Sequence, residues 1–490
     1  MYSLLGLIVP LVVYFLATPY LIRSLGNAQY GVLTVLLTIT SLLSGIDFGL
    51  SAGGVRGVGQ ALATADRGAA VLLVRETVTL FMLLGVAATA LVAPAAPAIA
   101  RGLGMIEAVG EQNAVLLIRI AGFSLLFIFV GAGLSLLPRA LERFPTITLI
   151  QVASNIAMWG GAVLLIVFGY GLVQVMWWIA TLTIIVCLLY AAWNRRLLPE
   201  LTWRPTSRFG ESKKIFSYSA YAFLAQATSM VTYHADRLLI AYFLGPAAVA
   251  FYAVAANLAS KLLSVAAALT SFVFPRAITL ASGSERGAIV ALYLRASRFT
   301  LLAIFPIAMP VIWLAPEFLT LWLGKEFALH AAVLLQILTA AYCIAVMSVA
   351  ASQVYNGLGN SRIGAAYAAT GSLINLALCG LLIPRFGTTG ATIAVLAGML
   401  QAILYAGSLE RHLGLGWFGG QRKLYLQLAL AMVGQSLLLY LSRSGVNGWF
   451  SLVAIGGGAW IAFYLTWAVC GFLNNDDKAV LSRLTGKWVT

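Results

Sequence analysis

Long apolar runs, repeated from one end of the chain to the other and separated by short polar connections, most constrain what this sequence can become. A helix crossing about 30 Å of hydrocarbon needs about 20 mostly apolar residues, since each residue advances about 1.5 Å. Such runs fall at 3–22, 32–50, 71–92, 114–137, 146–168 and 172–193. After a polar stretch they resume at 215–244, 248–275, 289–315, 329–350, 363–383 and 388–408, and two more follow at 422–441 and 449–472. The pattern reads as an all-α integral membrane protein of about fourteen transmembrane helices. Composition agrees, because only 9% of residues are charged and 61% are hydrophobic. A soluble chain carries roughly 25% charged residues to cover its surface.

The net charge of +15 would raise nucleic-acid binding in a soluble protein. Here the basic residues sit in short loops between apolar runs, which is the positive-inside pattern, and no nucleic-acid partner is expected. With the N-terminus inside, 22 of the thirty Lys and Arg residues fall on the cytoplasmic side. Five fall outside (Arg23, Arg101, Lys325, Arg385, Arg443) and three within spans (Arg119, Arg237, Lys261). That asymmetry predicts both termini in the cytoplasm and an even number of spans. The first run has no basic residue before it and no cleavage site followed by a soluble region, so it reads as a retained span, not a signal peptide. Cys187, Cys343, Cys379 and Cys470 lie in apolar runs with no CxxC spacing, which argues against a disulfide framework or a zinc site.

The chain also resembles itself. Leu25-Gly26 with Tyr30-Gly31 matches Leu244-Gly245 with Phe251-Tyr252, and Gly26 and Gly245 are 219 residues apart. Arg143-Phe144 with Asn155 matches Arg362-Ile363 with Asn375, and Gly169-Tyr170-Gly171 matches the 387–390 segment at a similar offset. A duplicated six-helix unit follows, with residues 1–193 as the N-terminal bundle and 194–214 as a basic cytoplasmic linker. Residues 215–408 form the C-terminal bundle, and 409–490 hold two additional helices and a cytoplasmic tail. Transporters with such repeats place their substrate between the halves.

A charge at a helix centre costs roughly 2.5–3.5 kcal/mol on insertion scales, so each one needs a reason. Asp236 and Arg237 lie in span seven, Lys261 near the middle of span eight, Arg119 in span four, Arg23 at the outer end of span one and Asp47 near the inner end of span two. Ser219, Gln226, Ser229, Tyr233 and Asp236 share one helical face, and Asn257 and Lys261 share another at i, i+4. The functional reading is a cationic cavity for an anionic head group, built from Arg23, Arg119, Arg237 and Lys261. Asp47 and Asp236 could couple an ion or form salt bridges, and the bland alternative is that all these charges pair to lock helices. Pro10, Pro19, Pro306 and Pro310 should bend spans one and nine. No catalytic residues, metal site or cofactor are expected: GxSxG, HExxH and P-loop signatures are missing, and His234, His330 and His412 are far apart.

The segment holding Arg23-Ser24-Leu25-Gly26, Tyr30-Gly31, Asp47-Phe48-Gly49-Leu50 and Arg56 resembles the start of Wzx-type polysaccharide flippases of the multidrug/oligosaccharidyl-lipid/polysaccharide (MOP) exporter superfamily. Asp236-Arg237, Leu244-Gly245 and Tyr252 resemble that family's second half, so the likeness extends over about residues 1–410. It implies two six-helix bundles in a V around a central cavity, in the bacterial inner membrane. It also implies a substrate of undecaprenyl-diphosphate-linked oligosaccharide, flipped from the inner to the outer leaflet by alternating access, with H+ or Na+ antiport as an optional drive. Membrane lipids and other polysaccharide-assembly proteins are the partners it suggests. The cavity charges depart from the pattern in not being repeated between halves. Rivals are a multidrug and toxin exporter or a lipid II flippase of the same fold, and, as an enzyme, a membrane polysaccharide polymerase or ligase. The enzyme would need a sizeable outer loop with catalytic groups, and the longest outer connection reads as about Ala93–Asn113.

Overall fold

The computed structural model describes residues 2–201, 206, 234–283 and 286–472. Among them the chain is helical with no strand, as apolar runs in lipid require, because an open backbone there would leave its polar groups unpaired. In order the helices are α1 (Tyr2–Ser44), α2 (Leu50–Ala63), α3 (Arg67–Gly102), α4 (Met105–Val109), α5 (Glu111–Leu134), α6 (Leu136–Ala140), α7 (Phe144–Val167) and α8 (Leu172–Leu197). The described part of α9 is 234–244. Then come α10 (Pro246–Leu269), α11 (Val273–Ser282), α12 (Arg286–Trp313), α13 (Ala315–Leu323), α14 (Lys325–Val346) and α15 (Val349–Gly357). The last four are α16 (Ser361–Met399), α17 (Gln401–His412), α18 (Arg422–Ser442) and α19 (Trp449–Val469).

Eleven helical stretches of the described chain are long and apolar enough to cross a membrane. Two of them carry two sequence-predicted spans each. Ile8–Ser44 breaks at Gly26 and Ser361–His412 at Gly387, where the backbone leaves helical dihedrals. That accounts for thirteen spans, and most of the fourteenth, 215–244, lies outside the described residues.

The breaks carry the repeat. Within the two six-helix halves, each turn from an odd span to the next even span is made by a glycine at positive φ: Gly26, Gly110 and Gly169 early in the chain, Gly245, Gly324 and Gly387 later. The pairs are 219, 214 and 218 residues apart. Only glycine takes that conformation without a steric penalty, so the turn chemistry recurs where the hydropathy does. The short helices α2, α4 and α6 likewise have counterparts in α11, α13 and α15. The connection expected as a loop at Ala93–Asn113 is mostly helix, since α3 runs on to Gly102 and α4 follows. Its apolar, alanine-rich sequence extends the span instead of leaving it.

Two compact units divide the chain: Met1–Ala253 with Ala368–Ala394, and Val254–Tyr367 with Val395–Thr490. In the first, α3 packs along α5, α5 along α8 and α1 along α7. Small residues permit the close approach: a Cβ added at Gly85 would sit 2.8 Å from the Leu126 Cα. Pro138 has no N–H, so the Leu134 carbonyl loses its i+4 donor, and the fully buried Asn194 supplies one from α8 at 2.8 Å.

The second unit is built around α12, against which α14, α18 and α19 pack. Its prolines create the same difficulty and it is met the same way. Pro306 orphans the Leu302 carbonyl, to which the Tyr464 hydroxyl of α19 donates at 2.8 Å. Pro310 orphans the Pro306 carbonyl, to which Gln435 of α18 donates at 2.9 Å. Pro316 orphans the Ile312 carbonyl, to which Gln336 of α14 donates at 2.9 Å. The two C-terminal helices are thus keyed to the prolines of α12. Leu301, Ile304, Leu428, Phe463 and Trp467 fill the apolar core beneath them.

Candidate functional site

In the first unit the turn at Gly245 folds α9 back on α10 and sets Asp236 facing Tyr252. Asp236 is buried (6% exposed), and its carboxylate accepts the Tyr252 hydroxyl and, at 2.7 Å, the backbone N–H of Arg237. The Arg237 guanidinium, half-buried, is close enough to act electrostatically on Asp236, His234 and Tyr30. Tyr30 is itself buried and within 3.4 Å of the Tyr14 hydroxyl, whose ring stands edge-on to Trp159. Cys379 feels the Asp236 charge and donates to Oδ1 of Asn375 at 3.4 Å, both on α16. The result is a partly buried cation acting on a carboxylate, an imidazole and a phenol, with a second phenol bonded to that carboxylate and a thiol and an amide nearby on α16. Such a set can hold an anionic group or pass a proton, because every member but the arginine both donates and accepts or changes protonation. Arginine in particular offers a planar fork that matches phosphate oxygens.

The other predicted residues stand differently. Lys261 lies in the second unit, half-buried on α10 one turn after Asn257. Arg23 and Arg119 are exposed and form no ion pair among the described residues. Arg119 lies eight residues into α5, about 12 Å along the helix axis, on one exposed face with Leu116 and Phe123. A charge at that depth must reach water, and no carboxylate among the described residues pairs with it. Asp47 is 2% exposed, and its carboxylate accepts the backbone N–H groups of Gly49 at 2.9 Å and Ser51 at 3.2 Å, at the start of α2. The sharp turn it holds puts Phe48 at φ 51°. Four members of the predicted polar face, Ser219, Gln226, Ser229 and Tyr233, lie outside the described residues. No group of three His, Cys, Asp or Glu side chains that could hold a metal ion occurs among the described residues.

An apolar groove of about 750 Å³ opens on the second unit between α12 and α18. Phe305, Met309, Trp313, Tyr425, Met432 and Tyr440 line much of it. No sequence signal announces it, because its lining is chemically the same as any lipid-facing stripe. Tyr252 and Asn375 were partly legible, both as landmarks of the internal repeat and Tyr252 also in the family resemblance.

Paired spans turning on glycine and charged groups buried inside helices define an integral membrane protein of the MOP exporter fold. Solved structures of that fold overlay on most of the chain. The lipid II flippase MurJ in an inward closed conformation gives a TM-score of 0.72 at 14% identity, covering 96% of this chain and 99% of that one. An inward-facing multidrug resistance transporter of the MATE family gives 0.69 at 16% identity, covering 84% and 98%. Within that fold the chain belongs to the polysaccharide biosynthesis protein family, which it matches over residues 20–360. Among individual relatives, the proposed O-antigen transporter of Shigella flexneri is 25% identical over 186 residues, 37% of this chain and 43% of that protein. An uncharacterised membrane protein of Methanocaldococcus jannaschii is 26% identical over 187 residues, 38% and 37% of the two chains. The chain therefore matches about two-fifths of the length of each relative. The resemblance read from Arg23 to Arg56 and around Asp236 stands at the level of family and fold.

Proposed function

We propose that the chain flips a lipid-linked oligosaccharide, joined to an undecaprenyl-type carrier through a diphosphate, from the cytoplasmic to the outer leaflet. The observation that carries the reading is the family match over residues 20–360, within which Arg23, Arg119, Arg237 and Lys261 all lie. The diphosphate is anionic, and an excess of cations in the spans offsets its loss of hydration. With the cytoplasm negative, outward movement is favoured by about 2.3 kcal/mol per charge per 100 mV. The groove on α12 and α18 suits the apolar carrier chain, which then need not leave lipid. No covalent bond changes, so no nucleophile or acid–base pair is required.

The six-helix halves at 1–193 and 215–408 rock about the substrate in this reading, with the linker 194–214 and both termini in the cytoplasm of a bacterial inner membrane. Asp236, held by Tyr252 beside Arg237, is the candidate for H+ or Na+ coupling, and Asp47 is the second. The multidrug exporter alternative rests on the fold alone and would favour an acidic or apolar cavity. The test is export in cells that lack the chromosomal gene. Arg237→Ala and Lys261→Ala should abolish cell-surface polysaccharide while protein levels in the membrane stay normal. Normal export by both variants would remove the cationic site, and loss of the protein itself would make these residues structural.

A further inference from the structure

At the end of the second unit where α12 and α18 begin and α19 finishes, a separate pocket of about 450 Å³ is lined by Arg295, Arg298, Lys423, Gln421 and Gln427, with no acidic side chain among its lining residues. Arg298 is fixed in place: it donates to the Phe472 carbonyl at 2.7 Å and lies 5.3 Å from the centre of the buried Trp467 ring. Arg295 and Lys423 are exposed at the rim. Gln421 is 1% exposed, with its side chain beside the Tyr293 hydroxyl. It is also the residue before α18, which opens without a side-chain cap, so the first-turn N–H groups of a 21-residue helix and its positive dipole end face the same place. Three cations and a helix N-terminus border a space large enough for a small anion. Glu410 does not line it: that carboxylate is fully buried behind Gly420 and accepts Tyr293 and the Gly420 N–H.

We propose that this pocket binds the phosphate-bearing head group of an anionic phospholipid in the leaflet that faces the basic end of the unit. Basic pockets between spans at the cytoplasmic face are suited to such head groups. Arg286, Arg411 and Arg422 lie at the same end, whereas Glu317 and Arg443 pair at the other, 3.2 Å apart. The lipid is a resident ligand here and not cargo. It bridges α12 to α18, and so ties the two appended helices to the bundle at the head-group layer, as Tyr464 and Gln435 tie them deeper down. The inner-leaflet placement rests on the topology given under the proposed function, but the pocket chemistry does not.

The full-length protein in neutral detergent is titrated with dioctanoyl-phosphatidylglycerol, dioctanoyl-phosphatidylcholine and inorganic phosphate, and bound lipid is counted by native mass spectrometry. One phosphatidylglycerol should bind per chain, about tenfold or more tighter than phosphatidylcholine, and the Arg295→Ala/Lys423→Ala variant should lose about that factor. Lys423→Arg should keep it, and 0.5 M salt, as an order of magnitude, should weaken it. Undiminished binding by the double variant, with its melting temperature unchanged, would overturn the proposal. So would equal competition by inorganic phosphate, which would assign the pocket to a soluble anion. Binding seen only after Asp476→Asn/Asp477→Asn would assign it to the chain's own Asp476–Asp477 pair. None of these outcomes depends on transport: a variant that exports normally without binding the lipid leaves the flippase reading intact, and a protein that binds the lipid but flips nothing overturns only that reading.

Discussion

Tyr464→Phe removes one oxygen and nothing else, and its cost can be worked from the prolines in α12. The Tyr464 hydroxyl donates to the Leu302 carbonyl at 2.8 Å. In an unbroken helix that carbonyl would accept from residue 306, which here is Pro306 and has no N–H. Leaving a buried acceptor without a donor costs about 1–3 kcal/mol. Hydrogen bonds between membrane helices average about 0.6 and reach about 1.7 kcal/mol, because a lost partner is usually replaced by a neighbour. The Leu302 carbonyl has no such replacement along its own helix, so the cost should fall near the upper figure, at about 1–1.7 kcal/mol. Pro306→Ala restores the missing N–H, and in that background Tyr464→Phe should cost less than about 0.5 kcal/mol. Equilibrium unfolding of the purified protein in mixed micelles of dodecyl maltoside and sodium dodecyl sulfate measures all four corners of this cycle. An equal cost in both backgrounds would refute the idea that α19 serves the proline-broken carbonyl.

Two further variants probe the first unit. A Cβ at Gly31 would sit 1.8 Å from the Pro246 carbonyl oxygen, so Gly31→Ala must push backbone aside by about 1.2 Å and should destabilise by about 1–3 kcal/mol. Gly59→Ala, where nothing lies within 4 Å, should instead be neutral or raise the melting temperature of the detergent-solubilised protein. At Asp47 structure and coupling can be separated. Asp47→Ala should cost about 0.5–2 kcal/mol through loss of the two N–H bonds at the start of α2, and Asp47→Asn should recover most of that. If Asp47 carries an ion, Asp47→Asn will melt normally and still fail to export polysaccharide.

Hydropathy reads the spans well because lipid imposes one condition on every one of them: all backbone groups must be paired within helices. It does not read what interrupts them. Gly26 and Gly387 sit in short polar connections, around Arg23–Gln29 and Arg385–Thr389, that already read as breaks between spans; what hydropathy does not express is that each break is a single positive-φ residue within one helical run. The pairing of Gly110 with Gly324, the middle member of the repeat, was hidden because their surroundings differ while their backbone does not. Asp47 looked like a costly intramembrane charge, yet its carboxylate is engaged by the backbone next to it, which a count of charges cannot express. Pro306 and Pro310 were legible as helix breakers inside α12. That Tyr464 and Gln435, about 130 to 160 residues later, supply the missing donors was not, since the pairing is made by packing between distant helices. Arg237 and Lys261 were legible as charges in apolar runs. The phenol and amide groups around Arg237, from α1, α9, α10 and α16, became visible only once the helices were assembled.

The central claim is movement of a diphosphate-linked sugar across the bilayer by cations inside the spans. Its most direct test is purified protein in liposomes holding a fluorescent undecaprenyl-diphosphate oligosaccharide, with the externally accessible fraction read by a membrane-impermeant quencher. Wild-type protein should equilibrate the lipid between leaflets, faster with the interior negative, and Arg237→Ala/Lys261→Ala should leave it where the liposome preparation placed it. Equal rates for wild-type protein, the double variant and empty liposomes would contradict the account.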